Sequence, residues 1–210
     1  MSSKIYLRYT IGILSDTPIS QLPAGSVTSA HALKSRGLHR SAIGRLVHGK
    51  VLIREPRARG VYRIAERELS LHHELMVVAL YAPNAVFCLL TALQLHGLRP
   101  PCADIWLCVP SSSRFPGLGH LPLEGVRPRA LPAGWETVEV IVEEVPMQFT
   151  SPAQTVADCF QYRARVGLDV AVAALQGLVR AGTTTMEDIW RCAKVSGVDA
   201  EMLPYMESIR

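Results

Sequence analysis

Residues 28–64 of the chain are TSAHALKSRGLHRSAIGRLVHGKVLIREPRARGVYRI, and they form its most specific pattern. A first short helix is expected to end at Gly37, and a second covers about residues 39–48. Two alternating apolar runs then flank a basic tip at residues 55–60, which is typical of a β-hairpin. The stretch therefore predicts a helix-turn-helix followed by a wing.

The second helix is predicted to be amphipathic, with Ile43, Leu46 and Val47 on its inward face. Its other face has small and basic side chains. Such a face lets the helix lie close to a groove floor while arginines reach phosphates or a guanine edge. It is also compatible with a merely solvated surface. The arginines of the hairpin tip that follow directly favour one DNA-facing surface.

The charge distribution agrees with this interpretation. Residues 1–64 contain 11 Lys+Arg and 2 Asp+Glu, a net +9, whereas residues 65–210 contain 11 and 16, a net −5. A basic head of this kind indicates a polyanionic partner. The predicted DNA-binding residues are Arg36, His39, Arg40, Ser41, Gly44, Arg45, His48, Lys50, Arg57 and Arg59.

The predicted fold class is α+β with two domains. Residues 1–66 are assigned to the winged helix-turn-helix, including a first helix over about residues 4–22. Residues 67–210 are assigned to a mixed α/β C-terminal domain with a helical tail. Its predicted strands are 104–109, 123–129, 137–142 and 145–150, and its predicted helices include 86–96, 168–181 and 186–195.

The uncharged apolar run at residues 75–95 is long enough to cross a membrane. Pro83 and Asn84 in its middle would break a spanning helix, so two buried helices joined by a turn are predicted instead. The five cysteines have no metal-binding spacing and are expected to be reduced. Without a signal-peptide pattern, the expected location is the cytoplasm.

The segment SPAQ at residues 151–154 predicts a helix start, with Ser151 as N-cap, Pro152 in the first turn and Gln154 completing a capping box. Further along this helix, Asp158 is placed among its polar residues. Two roles for it stay open: an ion pair with Arg163, or part of a partner-binding face.

No catalytic, nucleotide-binding or cofactor motif is present in the sequence, so no enzyme activity, metal or cofactor is predicted. Glu143 and Glu144 are interpreted as the solvated end of a strand. The minority alternative is a metal-dependent nuclease or transferase that uses these two carboxylates.

Three segments together resemble a known family. These are residues 22–64, the segment APNAVFCLLTALQLHGL at residues 82–98, and TSPAQTVADCFQYRARVGLDVAVAALQ at residues 150–176. Their order is similar to that of the AbiEi-type antitoxins of abortive-infection systems. The first 20 residues have no counterpart in this resemblance.

The resemblance implies a DNA-binding antitoxin that represses its own operon at inverted repeats and counteracts a nucleotidyltransferase-like toxin. In that picture Arg40, Ser41, Arg45 and His48 match the recognition helix, and Arg57 and Arg59 match the wing. The alternative is a ligand-responsive winged-helix transcription regulator without a toxin partner, whose α/β domain holds a small-molecule pocket.

Overall fold

The structure, a computed structural model, describes residues 27–65 and 68–209. Within them the chain is a mixed α+β protein with nine helices and two sheets. The helix expected over residues 4–22 lies outside the described residues. The described residues divide into two compact units. Unit 1 holds those up to Pro83, Pro116–Leu118 and Ile141–Val145; unit 2 holds Asn84–Phe115, Gly119–Val140 and those from Pro146 onward.

Unit 1 contains three short strands and three helices. They are β1 (Val27–Ser29), α1 (Ala30–Ser35), α2 (Arg40–His48), β2 (Leu52–Arg54), β3 (Val61–Ile64) and α3 (His73–Tyr81). The strands form one antiparallel sheet in the order β1-β3-β2. Leu33, Ile43, Leu46 and Leu52 pack with neighbouring apolar residues into a core that holds the two helices against the hairpin.

The first helix ends at Gly37, as the sequence predicts, and Ser29 caps its start. The Ser29 hydroxyl accepts a hydrogen bond from the Ala32 amide at 3.1 Å, which satisfies a free donor of the first turn. At the other end Gly37 has φ +89°, a left-handed conformation that glycine adopts without strain. The Leu38 amide then donates to the Leu33 carbonyl at 3.1 Å, and Leu38 is buried. This closure sets the turn between α1 and α2.

Helix α3 belongs to unit 1 and packs on β1 and β3. The domain boundary expected at residues 66 and 67 falls on two residues outside the described part, so it stays a prediction.

Unit 2 is built around a five-stranded sheet in the order β6-β5-β4-β8-β7. Strand β4 pairs with β5 antiparallel and with β8 parallel. The strands are β4 (Val86–Phe87), β5 (Ile105–Cys108), β6 (Leu123–Val126), β7 (Thr137–Val142) and β8 (Val145–Thr150). The helices are α4 (Leu89–Leu95), α5 (Pro152–Gln161), α6 (Arg163–Val166), α7 (Leu168–Ala181), α8 (Met186–Ser196) and α9 (Asp199–Ser208).

The prediction of one helix over residues 86–96 was wrong at its start. Val86 and Phe87 form the central strand β4, and the helix begins only at Leu89. Phe87 is fully buried, and its ring stacks on Phe149 of β8 at 4.9 Å between centroids. Pairing on both sides therefore outweighs the local helical pattern of this apolar run.

Helix α5 is the centre of the unit 2 core, with every residue from 153 to 160 buried. The Ser151 hydroxyl accepts from the Gln154 amide at 3.2 Å and Pro152 lies in the first turn, which confirms the predicted start. The capping-box role of Gln154 was wrong, because its side-chain amide instead donates to Asp158 and Ser196, each at 2.7 Å.

Asp158 is only 4% exposed, because α5 is surrounded by other elements of unit 2. Of the two roles left open for Asp158, the ion pair with Arg163 is not formed. Arg163 instead lies 3.7 Å from Glu201 and donates to the Phe160 carbonyl. A partner-binding face at Asp158 is also excluded by this burial.

The apolar run at residues 75–95 is divided among α3, β4 and α4. Across the part of the chain that the structure describes, no helix has both the length and the apolar character that a membrane crossing requires.

Candidate nucleic-acid interface

Helix α2 exposes one continuous basic arc. Ile43 and Leu46 are each 5% exposed and face the core, as the apolar spacing predicts. The arc on the other side consists of Arg40, Ser41, Gly44, Arg45 and His48, all exposed. At 100° per residue, Gly44 lies between the two arginines, and a Cβ built on it has no neighbour within 4 Å. The backbone of α2 is therefore accessible at the centre of the arc.

The hairpin tip is a compact turn tied to the first helix. The Ala58 amide donates to the Glu55 carbonyl, the Val61 amide donates to the Ala58 carbonyl, and the Ala30 amide donates to Gly60 at 2.7 Å. Ala58 is buried, whereas the residues on either side of it, Arg57 and Arg59, are exposed. The tip thus anchors through its alanine and presents two guanidinium groups to solvent.

A groove of about 680 Å³ lies between α1, α2 and the hairpin tip. Four of the residues singled out in the sequence line it: Arg40, Gly44, Arg57 and Arg59. Lys34, Arg54 and Tyr62 line it as well. The structure therefore brings cations from three separate elements to one concave surface, which is the arrangement that a polyanion requires.

Glu55 is the acidic residue that lines this groove, and its carboxylate is paired with residues inside unit 1. Its carboxylate lies 3.4 Å from Arg63 Nε and 3.3 Å from His73 Nε2, and the residue is 8% exposed. Within the described residues, Arg40, Arg57 and Arg59 have no salt bridge, and the same holds for Lys34 and Arg54. Among residues 27–65 and 68–209, no salt bridge therefore compensates the positive charge of these groove side chains.

The remaining predicted residues lie outside the groove. Ser41, Arg45 and His48 continue the exposed arc of α2 away from it. His39 is the N-cap residue of α2, without a side-chain capping bond. Gly49 is the C-cap residue of α2, and Lys50 follows it with φ +56°, in the left-handed conformation.

Arg36 has a protein partner. Its guanidinium donates to the Glu144 carboxylate at 2.6 Å, and both residues belong to unit 1. Glu143 and Glu144 form the turn between β7 and β8, with φ +48° and +69°. Because Glu144 compensates its charge, Arg36 contributes less to the positive potential of this surface than Arg40 and Arg45 do.

Sequence reasoning missed Lys34 and Arg54 as members of this surface. Lys34 lies in the last turn of α1, and Arg54 is the exposed last residue of β2, after the buried Leu52 and the half-buried Ile53. The alternation of β2 gave no signal for Arg54, because a period of two places it on the same face as the buried Leu52. For Lys34 the local pattern contained no signal, because its position depends on how the hairpin tip is attached to α1.

We expect Arg57→Gly to stabilise the protein. Arg57 has φ +57°, a conformation that is unfavourable for residues other than glycine, so relieving it is worth roughly 0.5–1 kcal/mol after the extra entropy of the unfolded glycine. Chemical denaturation measures the free energy of unfolding. Arg57→Ala is the matched control, because it removes the same charge and keeps the strain. Equal stability of the two variants would contradict the assignment of strain to this residue.

Comparison with known proteins shows a distant structural likeness. No protein-family model matches the sequence, and no curated protein matches it either. Among solved structures, the chain is similar to the Rv2827c protein from Mycobacterium tuberculosis, with a TM-score of 0.56 and 16% sequence identity. The similarity covers 97% of this chain and 80% of that one. At this identity the likeness concerns the mixed α+β fold alone.

Proposed function

We propose that unit 1 is a winged helix-turn-helix that binds double-stranded DNA. In this proposal α2 lies in the major groove and the hairpin of β2 and β3 is the wing. The supporting observation is the groove itself, where uncompensated cations from α1, α2 and the hairpin surround the accessible backbone of Gly44. A concave surface lined by charges of one sign focuses the electrostatic potential and attracts a polyanion, whereas solubility requires only scattered charges.

The residues of this surface divide into two roles. Arg57 and Arg59 at the tip are placed to contact the sugar-phosphate backbone, which positions the protein without reading sequence. Arg40 and Arg45 lie on either side of Gly44, and each can contact a phosphate or make a bidentate contact with guanine. Ser41 and His48, on the same arc, can hydrogen-bond to bases or phosphates. Close approach of the helix backbone at Gly44 would let Ser41 and His48 reach the floor of the DNA major groove.

The proposal extends to an antitoxin that represses its own operon. The supporting observation is the family resemblance of residues 22–64, 82–98 and 150–176 to AbiEi-type antitoxins. The operator would then consist of inverted repeats, and unit 2 would counteract a nucleotidyltransferase-like toxin encoded beside it.

Arg45→Ala is expected to weaken DNA binding several-fold and to reduce the salt dependence. Loss of one phosphate contact lowers the slope of log affinity against log salt by about one. Fluorescence anisotropy with the upstream region of the gene, titrated with salt, measures both quantities. Arg180→Ala is the matched control, since Arg180 is an exposed helical arginine of unit 2. Unchanged binding by Arg45→Ala, or an equal loss in both variants, would overturn the assigned surface.

A ligand-responsive regulator without a toxin is the second candidate. It is favoured by a cavity of about 100 Å³ in unit 2 that contains the buried carboxyl group of Asp158. The adjacent gene discriminates between the two candidates. A nucleotidyltransferase-like neighbour favours the antitoxin, and its absence favours the regulator.

A further inference from the structure

A cavity in unit 2 lies beside the middle of helix α5. Its volume of about 100 Å³ is well above the roughly 10–15 Å³ that one ordered water needs on a comparable measure. Six of its lining residues decide its chemistry: Leu89, Val126, Trp135, Asp158, Gln161 and Tyr162. The space therefore accommodates a molecule of a few non-hydrogen atoms, with both apolar and polar contacts.

Asp158 is a buried carboxyl group whose protein partners are all neutral. Its Oδ1 accepts hydrogen bonds from Gln154 Nε2 at 2.7 Å, Ser196 Oγ at 3.3 Å and Trp135 Nε1 at 3.3 Å. Its Oδ2 accepts a hydrogen bond from the same indole N–H at 3.2 Å and from no other described residue. Among the described residues Asp158 has no cationic partner. A buried carboxylate without a counter-charge is strongly disfavoured, so Asp158 either takes up a proton or needs a positive charge from outside the described residues.

Two further polar groups line the same cavity. Within the part of the chain that the structure describes, neither the hydroxyl of the half-buried Tyr162 nor the side-chain amide of the exposed Gln161 has a hydrogen-bond partner in the protein. Each has an oxygen that accepts hydrogen bonds. Together with Oδ2 of Asp158 they supply three acceptors, the number that an –NH₃⁺ group can satisfy.

The lining excludes a metal ion as the missing charge. The described residues contain no group of three or more His, Cys, Asp or Glu side chains placed to hold a metal. Hard divalent cations need several oxygen ligands, and this site has one carboxylate among apolar and aromatic walls. Leu89, Val126 and the Trp135 ring instead suit a short hydrocarbon attached to the cation.

We propose that this cavity binds a small primary alkylammonium ion, whose ammonium group pairs with Asp158 and donates to Tyr162 and Gln161. The hydrocarbon part packs against Leu89, Val126 and Trp135. This site goes beyond the DNA-binding function proposed for unit 1 and does not depend on it.

Binding should depend on pH because the proton and the ammonium ion compete for one carboxylate. Burial raises the pKa of Asp158 to about 7, partly offset by the hydrogen bonds from Gln154, Trp135 and Ser196. The ionisable groups near it are the thiols of Cys88, Cys108, Cys159 and Cys192 and the Tyr162 phenol. Burial, with the Asp158 charge among the smaller causes, raises the pKa of each. Of these groups only Asp158 titrates near pH 7, and the charged groups that also act on the cluster are Arg165 and Arg99.

The test uses the full chain without DNA, in an amine-free buffer, and follows the Trp135 indole N–H by NMR, assigned with Trp135→Phe. Ethylammonium chloride is the probe, ethanol its neutral counterpart, and sodium chloride the ionic-strength control. A ligand of three non-hydrogen atoms binds at best with a Kd of about 1 mM. We expect a saturable shift with ethylammonium at about pH 8, and roughly tenfold weaker binding at about pH 6.

Asp158→Asn should abolish the saturable shift, and Tyr162→Phe should weaken it several-fold. The indole signals of Trp106 and Trp190 report whether each variant is folded. If Asp158→Asn does not fold, the comparison of ethylammonium with ethanol and the pH dependence of the unmodified protein decide the question. An equal response to ethanol, no saturation at about 100 mM, or pH-independent binding would overturn the proposal. None of these results bears on DNA binding, which has its own assay.

Discussion

Replacing Gly44 with glutamate is expected to stabilise helix α2 and at the same time to abolish DNA binding. Gly44 lies inside α2, where any residue with a Cβ restricts the unfolded chain and gains about 0.5–1 kcal/mol over glycine. A Cβ at this position meets nothing within 4 Å, so the fold accepts the side chain. In the proposed complex the same side chain would lie against the groove floor and face the phosphates with a negative charge. We expect a loss of at least 100-fold in affinity, because bulk and repulsion act together.

Two measurements separate these effects. Hydrogen exchange of the α2 amides reports the stability of the helix, and anisotropy with operator DNA reports affinity. Gly44→Ala is the matched control, because it gives the same helical gain with a single methyl group and should lose much less affinity. If Gly44→Glu binds DNA as well as the unmodified chain does, α2 is not the element that enters the groove. If it binds weakly and also loses exchange protection, the effect is one of folding.

The stability of unit 2 is expected to fall as the pH rises from about 4 to about 7, and Asp158→Asn should remove this fall. Burial raises the pKa of Asp158 from 3.8 to about 7, so the folded protein holds a proton that the unfolded chain has released. The resulting contribution is fully present below pH 3.8 and lost as the pH passes about 7. Its upper limit is roughly 4 kcal/mol, since one pKa unit corresponds to about 1.4 kcal/mol. Asparagine keeps the size and the acceptor oxygen but has no charge to bury.

Denaturation of both proteins across this pH range, in buffers without amines, measures the difference. Asp188→Asn is the control, because the pKa of Asp188 is shifted in the opposite direction to that of Asp158. Hydrogen bonds from Thr185 and Arg191 lower the pKa of Asp188, so its contribution is present above pH 3.8 and lost only at lower pH. Its profile should run parallel to that of the unmodified chain between about pH 5 and pH 8. Parallel profiles for Asp158→Asn would contradict a raised pKa at Asp158.

The parts of the fold that the sequence predicted correctly depend on contacts between near neighbours. Ser29 caps α1 three residues ahead, Gly37 ends it, and the spacing of Ile43 and Leu46 orients α2. The strands β7 and β8 were predicted with correct bounds, because a two-residue turn separates two regular runs. Caps, turns and periodicity act over a few residues, so they can be recognised in the sequence without knowledge of the tertiary structure.

Residues distant in sequence decided the remainder. Val86 and Phe87 leave the helical pattern because β5 and β8 offer pairing on both sides. Asp158 is polar in sequence and buried in structure, since Trp135, Gln154 and Ser196 supply its hydrogen bonds. In unit 1, Lys34 shares the groove with Arg57 and Arg59 because the tip is attached to α1 through Ala30 and Gly60.

The sequence by itself therefore determined that a basic segment with two helices and a hairpin begins the described chain. Its net charge and the local rules of helix and strand formation suffice for that. Only the tertiary structure decided which cations share the groove and which carboxyl group lacks a counter-charge. Both depend on distances between segments that are far apart along the chain, and burial turns such distances into large electrostatic energies.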